Sequence, residues 1–158
     1  MKAKWAKVVS SNILVTRLPP GADVIESLEQ VLKEAGIRTA TIVSCIGSLR
    51  SASFHIAVPA DNPVGASYSE PIGVNGPLEL LGGQGTVGPD EHGDIFIHLH
   101  AVFSDGKGNL RGGHLVKGAN PVLITCEITM ADLEGAHIER RYDPEVDMAV
   151  FDIHKQQG

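Results

Sequence analysis

Three of the chain's seven histidines, His98, His100 and His114, fall within IFIHLHAVFSDGKGNLRGGHLVKG. In an extended strand Ile95, Ile97, Leu99, Ala101 and Phe103 point to one face, while Phe96, His98, His100 and Val102 point to the other. The first set is continuously apolar and reads as the core side. His98 and His100 then share a face with Cα atoms ~6.6 Å apart, a spacing at which two imidazoles can converge on one ion. Three histidines without a fourth protein ligand match the open coordination of zinc sites that keep a position for water or substrate. Neutral imidazole also suits nickel, copper and iron, so zinc is the commonest of several candidates. The plainer alternative is a histidine-rich polar face on an antiparallel strand.

Register decides between them. SDGKGN supplies a turn, and a two-residue loop at Gly106-Lys107 would set His114 opposite Leu99, on the core side. A three-residue loop over 105–107 would set it opposite His98, and a five-residue loop over 105–109 opposite His100. A bulge at Gly112-Gly113 would also repair the parity, so the sequence predicts an irregular ladder between Ser104 and His114.

These residues need a sheet to hold them. LPPGADVIESLEQVLKEAGI predicts a helix with Asp23 as N-cap, Glu26 as its capping partner, an apolar stripe of Val24, Ile25, Leu28, Val31, Leu32 and Ala35, and Gly36 as the stop. The chain beyond the helix is mostly strand: TATIVSCIGSL and SASFHIAV, divided at Gly47-Ser48, then GPLELLGGQGTV, DIFIHLHAVFS, NLRGGHLV and PVLITCEITMADL. Short strands in direct succession imply hairpins, hence an α+β fold with a central, largely antiparallel sheet and one main helix on a face. Residues 59–76 carry three prolines and three glycines and read as a long loop able to wall a site. Residues 143–158 read as an extension suited to packing on a neighbouring subunit.

At 158 residues, the whole chain, 1–158, fits a single domain. Its formal charge of −6 works against broad capture of phosphate backbones, so nucleic acid is not the expected partner. The basic opening MKAKWAK and the Arg140-Arg141 pair read as solvated surface. No apolar run predicts a secretory signal or a membrane span, and Cys45 and Cys126 read as buried free thiols, which together predict a cytoplasmic protein.

The chain resembles the plant and prokaryote conserved (PPC) domain family, also called domain of unknown function 296. LPPGADVIESL, IVSCIGSL, GPLELLGGQGTV and HLHAVFSDGKGNLRGGHL carry the resemblance in order, over nearly the whole chain. It implies an α+β domain assembled as a homotrimer. Prokaryotic members that keep all three histidines resemble metal binders, which maps onto His98, His100 and His114. The plant members are nuclear proteins joined to AT-hooks, and they keep the paired glycines while lacking the histidines. The glycines therefore serve the fold and the histidines something added to it.

Glu79 in GPLELL and Glu127 in TCEIT are carboxylates within apolar runs, second-tier candidates for a general base should they be buried. Arg50 and Arg111 are candidates to bind a small anionic ligand near the metal. His55, His92, His137 and His154 lack a partner at ligand spacing. Ser44 and Ser48 sit in no nucleophile elbow, and GGQGTVG lacks the lysine and following helix of a phosphate loop. The residues are compatible with two functions: a metal-dependent hydrolase or lyase for a small molecule, or a trimeric regulatory or interaction module, DNA-associated or ligand-sensing, with a structural metal.

Overall fold

The computed structural model describes residue 10 and residues 12–155. The basic opening residues and the last three residues of the tail lie outside that range. The elements run β1 (Ile13–Leu18), α1 (Val24–Ala35), β2 (Ala40–His55), β3 (Ala57–Pro59), β4 (Ala66–Tyr68), β5 (Ile72–Pro89), β6 (Ile95–Asp105), β7 (Leu110–Leu115), β8 (Val122–Asp132), β9 (Ala136–Asp143) and β10 (Met148–Lys155).

Six strands form one antiparallel sheet in the order β1-β8-β2-β5-β6-β7. Its last strand also pairs with the far end of β2, Phe54 opposite Leu115 and His55 opposite His114. The strands β2, β5, β6 and β7 therefore close on themselves. Closure of this kind needs long, bending strands, and β2 accordingly runs straight through Gly47-Ser48 instead of dividing there. An added Cβ on Gly47 would stand 2.1 Å from the Thr125 carbonyl oxygen, so this glycine marks the close approach of β8 rather than a turn.

The helix forms where the sequence places it. The Asp23 carboxylate accepts the backbone N–H groups of Ile25 at 3.1 Å and Glu26 at 3.0 Å, and Gly36 ends the helix at φ 69°. Val24, Ile25, Leu28 and Leu32 are buried against Leu99, Phe103, Leu115 and Ile128 of the sheet, although Ala35 at the end of the stripe is exposed. Cys45 and Cys126 lie in this core as free thiols, Sγ to Sγ 3.6 Å. Each Leu-sized side chain buried there contributes about 1.5–3 kcal/mol.

On the opposite face of the sheet Ile13, Val15, Val43, Ile46, Leu81 and Val102 are exposed. Residues 59–76 are not one long loop, because β4 pairs with β3 as a small hairpin and β5 begins at Ile72. A second hairpin, β9 with β10, packs back on its own chain across the end of β5. Among the described residues no helix is long and apolar enough to cross a membrane.

Candidate metal centre

Strand β6 presents its residues as the alternation predicts: Ile97, Leu99, Ala101 and Phe103 are buried, and His98 and His100 leave the other face. His100 stands opposite His114, and Ser104 opposite Leu110. The connection is therefore the five-residue one over 105–109, and Asp105 explains its length. Its carboxylate accepts the backbone N–H of Lys107 at 2.8 Å, the backbone N–H of Asn109 at 2.9 Å and the Asn109 side-chain amide at 2.9 Å. These bonds, the Asn109 side chain foremost, hold the Asp105 carboxyl below its usual range.

The ladder from Ser104 to His114 is unbroken, so the expected irregularity at Gly112-Gly113 is absent. Loop length alone sets the parity. The two glycines act by close approach instead: a Cβ on Gly112 would lie 2.3 Å from the Ala101 carbonyl oxygen, and one on Gly113 would lie 2.3 Å from that of His55. They let β7 seat between β6 and β2.

Convergence follows from that seating. The Nε2 atoms of His98 and His100 are 3.0 Å apart, and one nitrogen from each of His98, His100 and His114 falls within 4.8 Å of the others. Nitrogens on a tetrahedral zinc, each ~2.0–2.1 Å from the ion, stand ~3.3 Å apart. The first pair is thus already near coordinating distance, and the His114 nitrogen lies within 4.8 Å of both. His114 Nδ1 supports the fit independently, being a buried nitrogen with no hydrogen-bond partner.

Electrostatics points the same way. Burial pushes the His114 imidazolium down to about 4, with the charges of His98, His100, His55 and Arg140 adding to it. Burial likewise lowers His98, followed by His100 and Arg140. Low values keep these rings neutral near pH 7, the form whose lone pair a metal takes.

The sheet closure also brings in a residue that sequence spacing missed. His55 is the direct cross-strand neighbour of His114 on β2, with ring centroids 6.3 Å apart, and Tyr68 lies 5.4 Å from the His114 ring. His55 Nδ1 is 2.7 Å from the Ser69 carbonyl oxygen, which can only accept, so Nδ1 carries a hydrogen and donates it. No local motif joins His55 to His114. Only the β2–β7 pairing does.

The remaining candidates lie elsewhere. Glu79 and Glu127 are both exposed and share a depression with Ile46, Leu81 and Thr125, so the burial behind a general-base reading is missing. Arg111 stands across from Phe103 and leaves the sheet on the face opposite the histidines. Arg50 is exposed beside a pairing irregularity of β2. Neither arginine lines the cavities that the histidines line. Two other cations do: Lys117, ion-paired with Glu29 at 2.6 Å, and Arg140, set over the Phe96 ring at 4.2 Å.

A metal-containing protein from Archaeoglobus fulgidus, AF0104, superposes with a TM-score of 0.77 at 28% identity, over 96% of this chain and 99% of that one. A plant- and prokaryote-conserved (PPC) protein from Pyrococcus horikoshii gives a TM-score of 0.79 at 26% identity, with the same coverage. Bifunctional protein GlmU of Synechococcus sp. (strain JA-2-3B'a(2-13)) is 31% identical over 135 residues, which are 85% of this chain but 19% of that protein. The chain spans about a fifth of the length of the curated relatives it matches. The Plants and Prokaryotes Conserved (PCC) domain model matches residues 6–134, from before β1 through the end of β8, and the chain therefore belongs to that family.

Proposed function

We propose that the chain binds one divalent metal, zinc in the first instance, through His98, His100 and His114, and acts on a small molecule as a hydrolase or lyase. The observation that carries this reading is the orphaned, buried Nδ1 of His114 beside two imidazoles whose nitrogens already face each other at 3.0 Å. A structurally similar relative is a metal-containing protein. A metal held by three neutral imidazoles supplies Lewis-acid polarisation at its open position. His55 lines the adjoining cavity of about 480 Å³, its ring held by the Nδ1 hydrogen bond to the Ser69 carbonyl oxygen. Apolar side chains from β6 and β10 wall that cavity and limit water around the reacting groups. The test incubates a cell metabolite extract with metal-loaded and chelated protein. Depletion of a compound by the loaded form alone supports catalysis, and identical extracts contradict it.

A second reading, a non-catalytic module with a structural metal, is favoured by the share of the curated relatives that matches, about a fifth of each. Loss of fold on chelation would select it, since a structural ion contributes its binding energy to folding. In either case we propose a homotrimer that buries the exposed row of Ile13, Val15, Val43, Ile46, Leu81 and Val102.

A further inference from the structure

We propose that Arg140 is the specificity-determining residue of the three-histidine site, and that the ligand it receives is a small organic carboxylate lying along the β9–β10 hairpin. This deepens the metal-site reading and rests on it. Residues 136–155 lie beyond the stretch that the family model matches, so the shared family pattern does not supply this wall.

The hairpin is fixed in place. A Cβ on Gly88 would meet the Phe151 ring at 2.9 Å and the Ile138 carbonyl oxygen at 3.1 Å, so both strands of the hairpin lie tight against the end of β5. The backbone of Arg140 bridges to Asp90 at the same place. Phe96 of β6 meets Phe151 edge to face, with centroids 6.0 Å apart. Into the resulting cavity project Val150, Phe151, Ile153 and Arg140, facing His98 and His114.

Two adjacent arginines have separate employments here. Arg141 is committed, at 2.6 Å from Glu139 and 3.7 Å from Asp152. Arg140 has no ion pair among the described residues; its guanidinium lies over the Phe96 ring at 4.2 Å. Stacking of this kind fixes the guanidinium while leaving its N–H donors free at the edge. Asp90 feels the charge of Arg140, but its carboxylate accepts the backbone N–H groups of His92 at 2.9 Å and Asp94 at 3.0 Å.

Charge balance then calls for an anion. No acidic residue lines this cavity, so a divalent metal and a guanidinium would share it uncompensated. An anion between them removes the repulsion. A single planar fork matches the two oxygens of a carboxylate, whereas a phosphate site normally gathers several donors and backbone N–H groups. The apolar wall of Phe96, Val150, Phe151 and Ile153 suits a short carbon chain, and the volume of about 480 Å³ falls in the small-molecule range.

The test titrates succinate, and separately inorganic phosphate, into zinc-loaded wild type, Arg140→Gln and Arg140→Lys by calorimetry, with metal content measured for each. The expected result is equal metal in all three, succinate binding at least tenfold weaker in Arg140→Gln, and an intermediate loss in Arg140→Lys, which keeps the charge without the fork. Equal succinate affinity in wild type and Arg140→Gln overturns the proposal. So does phosphate binding tighter than succinate, or no binding of either by metal-loaded protein. Wild type that retains no zinc removes the metal reading instead. The titrations of metal-free protein then decide for Arg140, with weakening in Arg140→Gln supporting its role and no difference overturning it.

Discussion

Gly113 and His55 are so close that a Cβ on the glycine would stand 2.3 Å from the histidine's carbonyl oxygen and 2.8 Å from the neighbouring Phe54 ring. Since Gly113 is not in the left-handed region, the demand is steric and not conformational. Gly113→Ala should push β7 off β2, lowering stability by about 1–3 kcal/mol and metal content severalfold. Gly106→Ala in the turn meets nothing within 4 Å and should leave both unchanged. Thermal unfolding with elemental analysis reads the contrast; equal behaviour of the two variants would contradict it.

This contact marks the limit of what local sequence carries. The alternation around His98 and His100, the Asp23 cap and the Gly36 stop are readable because each depends on near neighbours. The position of His114 reduces to a choice of loop lengths, settled by three hydrogen bonds to the Asp105 carboxylate. His55 is not readable, since its place beside His114 depends on β2 being reached by β7 after the sheet closes. Arg140 reads as surface because its environment comes from Phe96 on a distant strand. Glu79 and Glu127 are second-tier candidates only if buried, and strand alternation turns both outward.

Removing one ligand at a time should separate metal from fold. His98→Ala, His100→Ala and His114→Ala are each expected to lower stoichiometric metal severalfold while circular dichroism stays that of wild type, because the glycines and the Asp105 turn define the hairpin. Full occupancy in all three variants would contradict the assignment.

Metal-free protein should be sensitive to mild acid. The His114 value is about 4 in the folded chain, against ~6.5 when unfolded. Between these limits the unfolded chain binds a proton that the native ring resists, so stability rises with pH through this window. Denaturant midpoints should therefore fall as pH drops from about 6.5 toward 4, and His114→Gln should flatten that slope. An unchanged slope in the variant would show that His114 is not the group responsible.

The exposed apolar row predicts assembly, and the charge of −6 predicts weak attraction to DNA. Light scattering should give a trimer, and Val102→Lys with Ile46→Lys should shift it toward monomer. Duplex DNA should not be retained at physiological salt. A clean wild-type monomer, or salt-resistant micromolar DNA binding, would contradict these expectations.

The most direct measurement of the metal centre is X-ray absorption at the zinc edge on purified protein, beside the His114→Ala variant. Three imidazole nitrogens at about 2.0–2.1 Å plus one non-protein oxygen ligand are expected in wild type, with one imidazole fewer or no bound metal in the variant. A wild-type spectrum with no zinc, or with sulfur ligands, or one that His114→Ala leaves unchanged, would contradict a metal held by His98, His100 and His114.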